Sequence, residues 1–214
     1  MTRFKSVVLD VDSTLSGIEG IDWLAAQRGP EIAAWSAELT QRAMNGEIPI
    51  EAVYGERMRA VKPRQSEIEQ LGELYVEHIA PGARDVFDDF RAYEIEPVMV
   101  SGGLREAIMP LAQLLGVASD HVHAVSIYFD DKGGYSGFDE SSPMTQQDGK
   151  RMAVAALRLA GPILAVGDGM TDAAIKPVVD AFGAFVGFAR REPVVEQADF
   201  VFENFDQLRA LVLT

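Results

Sequence analysis

Asp10 and Asp12 stand two residues apart, directly after the apolar run Val7-Val8-Leu9. Burying one ionised carboxylate is costly, and two close together raise the pKa of one steeply unless a cation lies between them. The pair reads as a Mg²⁺ site, as a nucleophile beside an acid/base group, or as both at one strand end. An acidic loop that merely follows a strand is the alternative without chemistry. Asp168 and Asp172 lie in Gly167-Asp168-Gly169-Met170-Thr171-Asp172, a spacing that puts both on one side of a strand-to-helix turn whose glycines permit tight backbone geometry. Mg²⁺ takes a few carboxylates and keeps waters and substrate phosphate, a set that Asp10, the main-chain carbonyl of Asp12 and Asp168 would supply. Asp172 is expected just behind them, hydrogen-bonded to the metal's surroundings or to a nearby amide. The plainer reading of this segment is a capped helix N-terminus.

Ser101-Gly102-Gly103 follows a second apolar run, Pro97–Val100, and is expected to open a helix. A hydroxyl with exposed N–H groups at such a point suits an anion, although a glycine-rich turn is the simpler alternative. Lys150 begins a helical pattern; a lysine in a first turn opposes the helix dipole and so answers a negative charge, unless it is an ordinary surface lysine. His121 and His123 alternate along an expected strand with no further His or Cys nearby. They are read as exposed edge positions rather than a zinc site.

These residues need elements to hold them. Runs of strand character at Ser6–Leu9, Pro97–Val100, Ile163–Val166 and Ala184–Phe188 are separated by helical patterns at Gly82–Tyr93, Leu104–Leu115, Lys150–Leu159 and Thr171–Val179. That alternation predicts an α/β fold with a doubly wound, mostly parallel sheet. Ligands of such sheets bind beyond the carboxyl ends of the strands, where the polar clusters fall. Residues 17–80 show helical periodicity and no strand. They are read as a small helical cap domain inserted into a core of residues 1–16 and 81–214, and placed over the crevice. Val122–Phe129, Asp131-Lys132-Gly133-Gly134 and Tyr135–Phe138 form a hairpin signal, expected as antiparallel strands at one edge.

The 214 residues suffice for one good core with a smaller addition. A net charge of −14 argues against nucleic acid or an anionic membrane surface as partner, and leaves a small phosphorylated molecule if a metal makes the site locally positive. No cysteine is present, which excludes disulfides, thiol nucleophiles and thiolate metal sites. No run is long enough for a membrane helix and the first residues are unlike a secretory signal; the expectation is a cytoplasmic monomer or homodimer.

Taken jointly, Asp10-x-Asp12, Ser101-Gly102-Gly103, Lys150 and Gly167-Asp168-Gly169…Asp172, in this order and each near a strand end, resemble the four motifs of the haloacid dehalogenase superfamily of phosphotransferases. Glu19-Gly20-Ile21-Asp22 and Met44-Asn45-Gly46…Ile50-Glu51…Arg57 resemble the phosphoserine phosphatase family within it. An aromatic is common in that family at the positions of Ile50 and Leu104, and Asn at that of Thr171. The resemblance implies a Mg²⁺-dependent phosphomonoesterase acting on O-phospho-L-serine through an aspartyl-phosphate on Asp10, with Asp12 as acid/base. Ser101, Gly102, Gly103 and Lys150 would bind phosphate, Glu19 and Arg57 the ammonium and carboxylate, and Met44, Ile50 and Thr171 would shape the pocket. A zwitterion needs such an acceptor and such a bidentate donor. Two alternatives share these residue types: a related phosphatase or a transferase to an alcohol such as homoserine, and a receiver-like phosphoacceptor. The extra acid at Asp12 and the cap favour a site built to hydrolyse its intermediate.

Overall fold

A computed structural model describes residues 2–214. In chain order the strands are β1 (Ser6–Leu9), β2 (Glu96–Leu104), β3 (Val122–Val125), β4 (Ile127–Phe129) and β5 (Tyr135–Phe138). They continue with β6 (Ile163–Gly167), β7 (Ala181–Phe185) and β8 (Phe200–Phe202). Six of them form one sheet in the order β3-β2-β1-β6-β7-β8, with every pairing parallel. β1 is central and covered on both faces, which is why it reads as an unbroken apolar run: Val7, Val8 and Leu9 are at most 1 % exposed. Burying such a side chain contributes roughly 1.5–3 kcal/mol. Leu9 pairs with Met99 on one side and Val166 on the other. The ends of β1, β2 and β6 therefore lie side by side, at the point where the strand order changes direction.

The helices flanking the sheet are α5 (Ala83–Ala92), α6 (Arg105–Leu115), α7 (Gly149–Leu157), the short α8 (Met170–Ala173) and α9 (Glu192–Val195), and α10 (Phe205–Val212). Between β1 and α5 run α1 (Gly20–Ala26), α2 (Pro30–Met44), a 3₁₀ turn at Ile50–Ala52, α3 (Tyr54–Val61) and α4 (Gln65–Glu77). Arg28 ties this segment together: it donates to both carboxylate oxygens of Glu67, at 2.7 and 2.5 Å, and to the Val61 carbonyl. The chain leaves and rejoins the sheet side by side, with Gly17 N–H donating to the His78 carbonyl and Ala80 N–H to that of Leu15. α4 also packs along α6. A Cβ on Gly72 would lie 3.0 Å from Pro110 and 3.2 Å from the Ala107 carbonyl oxygen, so the glycine lets the two helices approach this closely.

Five local expectations need correction. Ser101-Gly102-Gly103 does not open a helix: it extends β2, whose register against β3 shifts between Val100 and Leu104, and Gly103 N–H is taken by Ser101 Oγ at 3.0 Å. The segment Val122–Phe129 is not one edge strand of a hairpin. Its first half is β3, parallel to β2 with Val122 and Val125 buried in the core, and only β4 pairs antiparallel with β5. The helix expected over Thr171–Val179 stops at Ala173 and gives way to a 3₁₀ turn at Lys176–Val178, because Pro177 has no N–H and clashes with the preceding turn. β7 begins at Ala181 rather than Ala184, drawn into register with β6 at Leu164. His121 and His123 are half-buried rather than exposed, and burial lowers the His123 pKa. Three elements carry no readable pattern: α9, a single turn, β8, only three residues long, and α10, whose N-cap Asn204 accepts from Gln207 N–H at 3.0 Å. Among the described residues, no helix is long and apolar enough to cross a membrane.

Candidate active site

One cavity opens at the ends of β1, β2 and β6, and all the residues singled out from the sequence line it except Asp172, which lies just behind. Asp10 leaves β1 nearly buried, its N–H held by the Val166 carbonyl at 3.0 Å. Lys150, in the first turn of α7, puts Nζ 2.8 Å from Asp10 Oδ1 and 2.7 Å from Asp172 Oδ1. The ammonium thus bridges the two carboxylates, hydrogen-bonded to Asp172 and ion-paired with Asp10. The other Asp172 oxygen accepts Gly169 N–H at 3.0 Å. Gly167 makes room for that carboxylate, since a Cβ there would lie 2.2 Å from Asp172 Cγ. Asp168 accepts from Thr14 Oγ1 at 3.3 Å and pairs with Arg191.

Asp12 turns away from this group. Its Oδ1 accepts from Tyr75 Oη at 2.6 Å and Gly20 N–H at 2.7 Å, and its Oδ2 from Ser101 Oγ at 3.3 Å. Ser13, next in the chain, adopts the left-handed region at φ 51° and donates to Glu19 Oε1 at 2.7 Å. Arg57, on α3, is 5 % exposed. Its Nη2 donates to Asp22 Oδ1 at 2.7 Å and its Nε to Ser36 Oγ at 3.1 Å, while Ser36 and Thr40 hydroxyls donate to the same Asp22 oxygen. Met44, Ile50 and Thr171 complete the lining, and Thr171 Oγ1 is buried with no hydrogen-bond partner.

The electrostatics follow from this crowding. Burial first, and then the charge on Asp10, push the Asp12 carboxyl up to about 6, against the donors Tyr75 and Gly20. Burial and Asp10 likewise raise Asp172, against the ammonium of Lys150. Glu19 is raised by loss of solvent and by Asp12. Burial works against the charge on Lys150, but Asp10 and Asp172 outweigh it and hold the ammonium above the ordinary lysine value. Five carboxylates (Asp10, Asp12, Glu19, Asp168, Asp172) thus face Lys150 and Arg191, Arg57 being matched by Asp22. Asp10, Asp168 and Asp172 are buried with ligand atoms within 4.8 Å of one another, the one such acidic, His or Cys group among the described residues. A surplus of buried negative charge around Asp10 fits a bound cation.

Reading the sequence missed several residues that the fold delivers here. Asp22 lies inside the quoted motif Glu19–Asp22 and could have been read as the counter-charge of an arginine. Arg191 follows β7, the kind of position where site residues of parallel sheets gather. Tyr75, Tyr54, Met144 and Gln146 carry no local signal; Tyr54 donates to the Gly102 carbonyl at 2.9 Å, and Met144 and Gln146 line the cavity.

Residues 7–175 match the family model of haloacid dehalogenase-like hydrolases. The chain is 35 % identical to a chloroplastic phosphoserine phosphatase of Arabidopsis thaliana, over 95 % of its own length and 70 % of that protein. It is 32 % identical to the phosphoserine phosphatase of Homo sapiens, over 95 % of its own length and 91 % of that one. In fold it is similar to a phosphoserine phosphohydrolase-like protein from Francisella tularensis subsp. tularensis SCHU S4, with a TM-score of 0.90 at 24 % identity, covering 98 % of this chain and all of that one. With most of its length matched by the family model and these relatives covered over 70 and 91 % of their own lengths, the chain belongs to the phosphoserine phosphatase family of haloacid dehalogenase-like hydrolases.

Proposed function

We propose that the protein hydrolyses O-phospho-L-serine to L-serine and phosphate through an aspartyl-phosphate on Asp10. The observation that carries the substrate is that Glu19 and Arg57 line the same cavity as Asp10, Ser101 and Lys150. A carboxylate acceptor, a buried guanidinium and an anion cradle are the three groups a phosphorylated amino acid requires. Arg57 commits Nε and Nη2 to the protein, which fixes the plane of the guanidinium and leaves Nη1 for a ligand carboxylate.

In the first step an Asp10 oxygen attacks phosphorus in line, the bond to the serine oxygen breaks, and Asp12 gives that oxygen a proton. Lys150, the Ser101 hydroxyl and Gly102 N–H take up charge on the phosphoryl oxygens, with Gly103 N–H holding Ser101 Oγ in place. In the second step Asp12 removes a proton from water as it attacks, and the Asp10–phosphorus bond breaks. The raised Asp12 value of about 6 suits a group that must hold and release a proton in one cycle. Asp10, Asp168 and the Asp12 main-chain carbonyl would hold Mg²⁺, which neutralises and orients the phosphoryl oxygens. Asp172, with both oxygens used by Lys150 and Gly169, would steady that set from behind.

Residues 17–80 act as the cap in this reading, and a closed cap excludes bulk water while the phosphoryl group is transferred. α1 to α3 bring Glu19 at the start of α1, Met44 and Arg57 to the cavity. The test is Mg²⁺-dependent phosphate release from L-phosphoserine, D-phosphoserine, phosphothreonine and phosphoethanolamine. A clear preference for L-phosphoserine is expected; equal rates on all four would remove Glu19 and Arg57 from substrate reading.

A further inference from the structure

Asp12 is held from outside the sheet. Its Oδ1 accepts two donors, the Tyr75 hydroxyl at 2.6 Å and Gly20 N–H at 2.7 Å. Its Oδ2 faces the other way, 3.3 Å from Ser101 Oγ and close enough to Gly103 that a Cβ there would lie 2.6 Å from it. That oxygen therefore lies against the end of β2 that lines the cavity. Tyr75 is fully buried, and burial together with the charge of Asp12 keeps its phenol protonated, so the hydroxyl serves Asp12 as a donor. Gly20 completes the fit: a Cβ there would lie 2.2 Å from Tyr75 Oη, so the absence of a side chain on α1 is what admits the hydroxyl. The helix that delivers Tyr75 is firmly seated, with Leu71 and Tyr75 in the core and Gly72 against Pro110 of α6.

We propose that Tyr75 is a positioning residue for the acid/base carboxylate: with Gly20 N–H it fixes Asp12 by Oδ1 and leaves Oδ2 as the oxygen that exchanges the proton. The inference rests on Asp12 being the acid/base of the reaction. When the serine oxygen leaves phosphorus, the proton on Asp12 Oδ2 moves to it as the Asp10–phosphorus bond forms. When water attacks, its proton returns to Oδ2 and the Asp10 oxygen is released.

Tyr75→Phe keeps the ring and removes the donor. Misplacing a reacting group by a fraction of its working distance costs on the order of 10- to 100-fold in rate, and that is the loss expected in single-turnover release of serine from phosphoserine. Phosphoserine affinity should hold within about twofold, and so should release of nitrophenolate from 4-nitrophenyl phosphate, because that leaving group needs little help from a proton donor. Undiminished serine release, or equal loss on both esters, would overturn the proposal. In an Asp12→Asn background Tyr75→Phe should add nothing; a further loss there would show a packing role instead. Should Tyr75→Phe fail to fold, Gly20→Ala displaces the same hydroxyl with the ring intact and is expected to show the same alkyl-selective loss, equal loss on both esters again counting against it. If the wild-type protein turns over another alkyl phosphate in place of phosphoserine, the substrate assignment fails alone, and the contrast with the aryl ester is read on that alkyl phosphate.

Discussion

Replacing Arg57 by alanine separates substrate reading from structure. In the folded protein Arg57 is 5 % exposed and supplies two of the contacts around Asp22, from Nη2 at 2.7 Å and to Ser36 from Nε at 3.1 Å. Its removal leaves Asp22 with the Ser36 and Thr40 hydroxyls, at 2.5 and 3.0 Å, so the carboxylate keeps two donors and the fold should survive with a lower Tm. A bond between a charged donor and a charged acceptor is worth about 1.5–3 kcal/mol, which corresponds to a fall of roughly 10- to 150-fold in kcat/KM for phosphoserine. Phosphoethanolamine carries the same phosphate and ammonium without the carboxylate. Its kcat/KM should fall only by whatever the loosened α3 costs, and the ratio of the two losses cancels that structural part. The assay is phosphate release at saturating Mg²⁺ for both substrates on wild-type protein and variant. A ratio near one would refute the reasoning, whatever the size of the separate losses.

Asp10→Asn keeps the shape of the side chain and removes the nucleophile, so phosphate release should vanish while circular dichroism stays native; near-wild-type release would refute the assignment. Removing divalent cations with EDTA should abolish turnover. Adding Mg²⁺ back at about a hundred times its dissociation constant stabilises the native state by about 2.7 kcal/mol, a rise of roughly 5–10 °C in Tm for a chain of this size, whereas an unchanged Tm would argue against the acidic group as its site. Glu67 is held below its ordinary pKa, chiefly by the Arg28 hydrogen bonds. Its folded value lies under its unfolded one, so its contribution is full above the ordinary glutamate range and is lost as pH falls through the folded value. Glu67→Gln should therefore cost about 1 kcal/mol at neutral pH and progressively less, in urea unfolding, as pH falls below the ordinary glutamate range. Gly167→Ala would place a methyl 2.2 Å from Asp172 Cγ, an overpacking that costs about 1–3 kcal/mol and parts Asp172 from Lys150, so both Tm and turnover should drop.

The sheet was legible because its central strands are buried on both faces, and such strands announce themselves as apolar runs between glycines and acids. β1 and β6 matched their runs closely. Legibility fell where one local pattern serves two partners. Val122–Phe129 alternates continuously, yet β3 belongs to the parallel sheet and β4 to a separate antiparallel pair; nothing in the alternation says which neighbour each half finds. Thr171–Val179 failed for a different reason. Its apolar spacing outweighed Pro177, although the missing N–H and the ring clash were in plain view. β8 shows only three residues, too short for any period to rise above composition.

At the site the same distinction runs between residues that act on a ligand and residues that act through another side chain. Asp10, Ser101, Lys150 and Asp168 each follow or sit near a strand end, so parallel topology alone brings them together, and their chemistry is visible in their type. Tyr75 lies in an ordinary amphipathic helix pattern, Ile68-Leu71-Leu74-Tyr75, where a tyrosine at that spacing reads as core. It is core, being fully buried, and its ring fits that description completely. What the pattern cannot carry is the hydroxyl, which needs a partner once buried, and whose partner stands 63 positions earlier in the chain. The partner is found only when the glycine at position 20 leaves room, and a glycine before an apolar helix has many commoner explanations. Asp22 is the intermediate case: it shares a motif with Glu19, and a buried arginine requires a counter-charge, which the fold supplies to Arg57 from Asp22. Supporting residues of this kind become readable when each buried polar group is made to account for its partner, because an unpaired one costs more than the bond itself is worth.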